Sequence, residues 1–310
     1  MSYGKYAVSM YNLIKPTQMP LWRTIMSQQI HLLIIDPQND FCDLPADARP
    51  QVRGIAASPA LPVSGGDRDM KRLADFVTRM GPRLRDITVT LDSHPHVAIE
   101  RTTFWKDRDG QPVAPFTLIS ADRVAAGDFV PASQADLVLR QLRALERAGR
   151  YQLVVWPVHC VTGTWGHNIH AEVAEALAAW ELQSHSTPHK VLKGEYPWSE
   201  HYGAFEAEVP LDEVPWTQFN MPLAQRVTED VDLLLVAGLA SSHCVAASVD
   251  QLLGALPRLP LKPGFQVMLL SDCMSPVGGF EAQAEQFLQR ASAAGVQLQT
   301  AQQVLDACTR

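Results

Sequence analysis

No apolar run in the 310-residue chain approaches the ~18 residues that a membrane-spanning helix needs; the longest clear one surrounds Leu233 to Ala240. Positive charge is also short. With 26 Lys and Arg against 33 Asp and Glu the formal charge is −7, which argues against a nucleic-acid or anionic-membrane partner. The five cysteines, Cys42, Cys160, Cys244, Cys273 and Cys308, are odd in number and scattered, unlike a disulfide framework, so a reducing, cytoplasmic location is expected. Lys5, Asn12, Lys15 and Gln18 interrupt any signal-peptide core near the start. Internal repeats and low-complexity tracts are missing too. What is present, 46% hydrophobic and 19% charged residues, is enough to bury a sizeable core.

Runs rich in Val, Ile and Leu, bounded by turn residues, predict strands buried on both faces at His31 to Asp36, Ile87 to Asp92, Gln152 to Trp156, Lys190 to Lys193, Val231 to Gly238 and Gln266 to Ser271. Apolar residues at helical spacing predict helices over Arg68 to Arg85, Gln134 to Ala148, Ile169 to Trp180, His243 to Leu253 and Gly279 to Ala294. The alternation implies an α/β fold: a three-layer open sheet of about six mostly parallel strands with helices on both faces. Met26-Ser27-Gln28-Gln29 stands directly before the first strand, so 1–25 reads as an extension expected to be poorly ordered. Residues 26–310 read as a single domain with insertions near 43–59, 106–133 and 206–222.

Ligands of open α/β sheets bind at the carboxyl ends of strands. The first such end carries Asp36, placed either to act as a general base or to cap the following turn. The second runs into Asp92-Ser93-His94, whose two outer side chains share one face of an extended strand and suit a metal; His159 would add a third ligand, and Glu100 or His96 a fourth. Asp with His favours Zn, Fe or Mn over Ca or Mg. Lys193 closes another strand. Cys244 opens a helix, where the macrodipole and a nearby lysine would favour the thiolate and backbone N–H groups would hold an oxyanion; the bland alternative is an inert core cysteine.

Together these segments resemble the nicotinamidase branch of the isochorismatase-like cysteine hydrolases. The resemblance rests on Ile34-Ile35-Asp36-Pro37-Gln38-Asn39-Asp40-Phe41, Asp92-Ser93-His94-Pro95, Trp156-Pro157-Val158-His159-Cys160, Lys193-Gly194 and Gly238-Leu239-Ala240-Ser241-Ser242-His243-Cys244, in that order. It implies a catalytic triad of Asp36, Lys193 and Cys244, and a divalent ion on Asp92, His94 and His159, with Zn the first choice and Fe or Mn the others. It also implies a cis peptide before Ala240, an oxyanion hole from Ala240 and Cys244, and Phe41, Trp156 and Tyr202 against the substrate. The expected activity is hydrolysis of nicotinamide to nicotinate and ammonia through a thioester, feeding NAD salvage. The partner implied is a small amide, with self-association left open. Two alternatives remain, a sibling hydrolase acting on another small amide or related substrate and a non-catalytic binding protein on the same fold.

Overall fold

The segment Ile30–Ile35 is six consecutive buried residues, the pattern of a strand covered on both faces, and it forms the centre of the sheet (β1). The computed structural model describes residues 28–149 and 151–308; the expectation for residues 1–25 lies outside them. The other strands of the main sheet are Leu84–Asp92 (β2), His189–Lys193 (β3), Leu233–Gly238 (β4), Gln266–Leu270 (β5) and Gln297–Gln299 (β6). Their spatial order is β6-β5-β4-β1-β2-β3, and every neighbouring pair is parallel. The chain moves from β1 outward to β3, then crosses to β4 and moves outward the other way. That reversal opens a crevice between β1 and β4 at their carboxyl ends.

Helices Gly66–Met80 (α1), Ala135–Arg147 (α2), Ala171–Ser184 (α3), Cys244–Ala255 (α4), Glu281–Ala293 (α5) and Ala301–Cys308 (α6) connect and flank the strands. α1 packs on α3 and α6, and α4 packs on α5. Right-handed crossovers running in opposite directions from the switch point put these two groups on opposite faces, giving the expected three layers.

Two expected details change. The run Gln152 to Trp156 is not a strand of the main sheet: Leu153–Val154 pairs antiparallel with Leu118–Ile119. The rest of the run bonds to the insertion and the segment before it, Val155 N–H donating to Thr117 O at 2.9 Å and Trp156 N–H to Glu100 O at 2.7 Å. The sixth sheet strand is β6, three half-buried residues with glutamine at both ends, too short and polar to stand out as an apolar run. The stretch 106–133 is also more than a loop. With α2 and the preceding Phe104 and Trp105 it builds a second hydrophobic cluster that includes Ile119, Val138 and Leu142, separate from the main core.

Candidate active site

The turn after β1 is held by side chains that the motif supplies. Gln38 clamps the end of β2, accepting from Asp92 N–H at 2.7 Å and donating to Asp92 O at 2.8 Å. Asp40 accepts from Cys160 N–H at 2.7 Å and Ala60 N–H at 2.9 Å, tying the loop that bears His159 to the same turn. Asp36 itself sits at φ 44°, a left-handed conformation unusual for a non-glycine residue. Its N–H donates to Thr90 O at 3.2 Å, and Thr90 Oγ1 donates to Asp36 Oδ1 at 2.6 Å.

Lys193, at the end of β3, reaches into the middle of the site. Its Nζ lies 2.9 Å from Asp36 Oδ2, 2.7 Å from Asp92 Oδ1 and 3.6 Å from Cys244 Sγ. Burial works against a buried ammonium, yet the carboxylates of Asp36 and Asp92 and the Cys244 sulfur hold its pKa well above the usual lysine range, so it stays charged. Burial raises the pKa of Asp36, with Lys193 opposing. Burial likewise pushes the Cys244 thiol well up despite Lys193, and Cys244 hydrogen-bonds Asp36. Burial outweighs the lysine here, so the thiol form of Cys244 is favoured, which leaves its proton to be taken by Asp36. The Leu239–Ala240 peptide is cis, as the resemblance implies. His243 N–H and Val245 N–H both donate to Ala240 O, at 3.1 and 3.2 Å, closing the turn from which Cys244 enters α4.

Beyond Asp92 lies a second cluster. His94 Nε2 is 2.8 Å and His159 Nε2 3.4 Å from Asp92 Oδ2, and one donor atom from each of the three buried residues lies within 4.8 Å of the others. Zinc bonds of 2.0–2.1 Å in tetrahedral geometry place ligand atoms about 3.3 Å apart, so the donor set fits a divalent ion. His159 Nδ1 faces Pro157 O at 2.8 Å. Arg101 Nη1 lies 2.5 Å from the same Nδ1, so Pro157 and Arg101 together hold the far edge of the ring and turn Nε2 toward Asp92. Burial, helped by Arg101, lowers the His159 pKa to about 4, so the ring is neutral as a ligand must be. Glu100 is 3.2 Å from His94 Nδ1, on the ring edge away from Asp92, and pairs with the fully buried Arg101 at 3.1 Å. It orients His94 from that edge. His96 is exposed and stands outside the cluster.

Gly194 explains why Lys193 and His94 can approach so closely. At φ +82° a Cβ there would lie 2.5 Å from His94 Cε1, so only glycine fits.

The cavity over these groups, with ≈ 390 Å³ of space not filled by atoms, is lined by Phe41, Trp156 and Tyr202, as expected, and by Cys244 and Ala240. Trp156 Nε1 donates to Tyr202 Oη at 2.8 Å, fixing both rings. Two further lining residues, Glu200 and His243, escaped sequence reasoning. Glu200 is buried, with its pKa pushed up to about 8 by burial and by Glu100, and its Oε2 has no hydrogen-bond partner among the described residues. It lies in an irregular loop, so no periodicity pointed to it. His243 was legible only as the neighbour of Cys244.

No family model matches the chain. A curated nicotinamidase of Saccharomyces cerevisiae is 23% identical over 246 residues, covering 79% of this chain and 88% of that protein. The solved nicotinamidase/pyrazinamidase of Acinetobacter baumanii superposes with a TM-score of 0.57 at 19% identity, over 89% of this chain and 98% of that one. The pyrazinamidase of Pyrococcus horikoshii, solved in complex with zinc, gives a TM-score of 0.50 at 20% identity, over 88% of this chain and 99% of that one. The chain thus resembles the nicotinamidases of the isochorismatase-like superfamily in sequence and carries the fold of their solved structures.

Proposed function

We propose that the protein is a metal-containing amidohydrolase that converts nicotinamide to nicotinate and ammonia through a thioester on Cys244. The observation that carries this reading is Lys193 Nζ, in reach of Asp36, Asp92 and Cys244 at once, with Asp92 shared between that triad and a buried Asp-His-His cluster. The named relatives support the same reading.

Because Cys244 rests as a thiol, its proton leaves as the sulfur attacks. Asp36, hydrogen-bonded to it, takes that proton while the C–S bond forms. Lys193 stays cationic and stabilises the charge that passes between the sulfur and Asp36. The N–H groups of Ala240 and Cys244 hold the oxyanion. When the intermediate collapses the C–N bond breaks, Asp36 returns the proton to nitrogen and ammonia leaves. Water then attacks the thioester with Asp36 again as base, releasing the acid and restoring the thiol. Phe41 and Trp156 serve as walls for a flat ring. A divalent ion on Asp92, His94 and His159, zinc by donor chemistry and iron or manganese otherwise, would act as a Lewis acid toward water or a ring nitrogen.

The test is ammonia release from nicotinamide and a panel of other small carboxamides, with and without chelator. Release from nicotinamide that chelation suppresses is the expected result. Release only from other amides would replace the substrate, and silence across the panel would overturn the amidase reading.

A further inference from the structure

The reactive cavity shares a wall with a larger chamber. The inner space is ≈ 390 Å³ and the outer, open one ≈ 1680 Å³, and Tyr202 and His243 line both. The wall has a buried half and a partly buried half. Trp156 and Tyr202 are buried and hydrogen-bonded to each other, and both belong to the packed core. His243 and Phe280 are only partly buried. The His243 ring packs edge-on against Phe280 at 4.6 Å, Trp156 at 5.1 Å and Tyr202 at 5.2 Å. Phe280 follows Gly278 and Gly279 in the turn that enters α5, where its N–H donates to Val277 O at 3.0 Å. Desolvation lowers the His243 pKa to about 4, so the ring behaves as a neutral, flat partition near neutral pH. The outer chamber has mixed charge, including Asp250 and Arg290 paired at 3.0 Å, and presents Gln283 and Gln286 from α5. It suits an uncharged polar or aromatic group.

We propose that His243, backed by Phe280 from the outer chamber, forms the specificity-determining wall of the reactive cavity. In place, the two limit the acyl group to about one ring. With Phe280 displaced, the inner cavity opens to the outer chamber, which takes the ring substituent of a larger aromatic carboxamide. This deepens the amidase reading, resting on Cys244 as its nucleophile but not on nicotinamide as the substrate.

The experiment reads Cys244 directly, by peptide mapping after alkylation with iodoacetamide or with the bulkier N-naphthyl iodoacetamide, each rate taken relative to a free thiol. Wild type should favour the small reagent by about tenfold or more, on the scale by which pockets reject added bulk. Phe280→Ala should erase most of that preference; Phe280→Leu is the milder variant if alanine unfolds the start of α5. Gln283→Trp, narrowing the outer chamber, should slow the naphthyl reagent more than iodoacetamide. Equal preference in wild type and the Phe280 variants overturns the proposal, as does failure of both reagents to reach Cys244 in any of them. A lost preference in a protein inactive on nicotinamide would keep the partition and discard that substrate.

Discussion

Asp36 and Lys193 stand at the ends of two strands of one continuous sheet and Cys244 opens the helix after a third, whereas His159 reaches the same cavity from the loop after 152–156, a segment whose Leu153 and Val155 belong to the separate smaller cluster. The two halves meet at one carboxylate, with Asp92 Oδ1 facing Lys193 and Oδ2 facing the histidines. The sheet fixes the triad through parallel hydrogen bonding and a core buried on both faces. The histidine side depends on local pins, Asp40 to Cys160 N–H, Gln38 to β2, and Pro157 O behind His159. The difference teaches that the triad should survive damage that dismantles the histidine side.

The largest expected effect is on the sheet-borne half. Cys244→Ala should lower amide turnover by at least about 10⁴-fold while leaving bound metal and the thermal midpoint essentially unchanged, read by ammonia release, metal analysis and a melting scan. Loss of metal together with activity would mean that the halves are not separable. Next, His159→Ala should weaken metal binding roughly 100-fold or more in a chelator competition, while iodoacetamide still modifies Cys244 at near the wild-type rate. The comparison is sharpened further by Leu142→Ala, which deletes buried volume in the smaller cluster and should cost about 2 to 5 kcal/mol in denaturant unfolding. Metal affinity should fall with it more than Cys244 reactivity does.

The sequence made it legible that Asp36, Lys193, Cys244, Asp92, His94, His159, Phe41, Trp156 and Tyr202 meet in one place, because each lies in a short contiguous motif at a strand end or turn. β6 was not legible, because half-buried glutamines carry no periodic signal. The segment 152–156 misled because a fully apolar run reads alike in a main sheet and in a satellite pairing; the insertion that claims its hydrogen bonds is distant in sequence. The burial of Cys244 was not legible for a related reason. Helix position and lysine proximity are visible locally, whereas the desolvation that outweighs the lysine comes from the assembled core. Glu200 was missed because its role arises only from what tertiary packing brings beside it.

A smaller effect tests the sheet from beneath. His31 on β1 is buried against Thr88 on β2, and desolvation, aided by Arg226 and Arg85, lowers its pKa to about 3. The unfolded chain then binds more protons than the folded one between about pH 3 and 6.5, so this stability is complete above pH 6.5 and declines as pH falls. The loss should reach about 2 kcal/mol at pH 5. His31→Gln should flatten that part of a pH series of urea titrations; an unchanged slope would assign acid lability elsewhere.

Gly194 has a consequence for how the sequence can vary. An added methyl would strike the His94 imidazole, so even alanine there would push apart the lysine strand and the ligand loop in one step. Position 194 works as a hub that couples two chemistries sterically, and in a saturation library scored for both thiol reactivity and metal retention it should be a place where single substitutions forfeit both together.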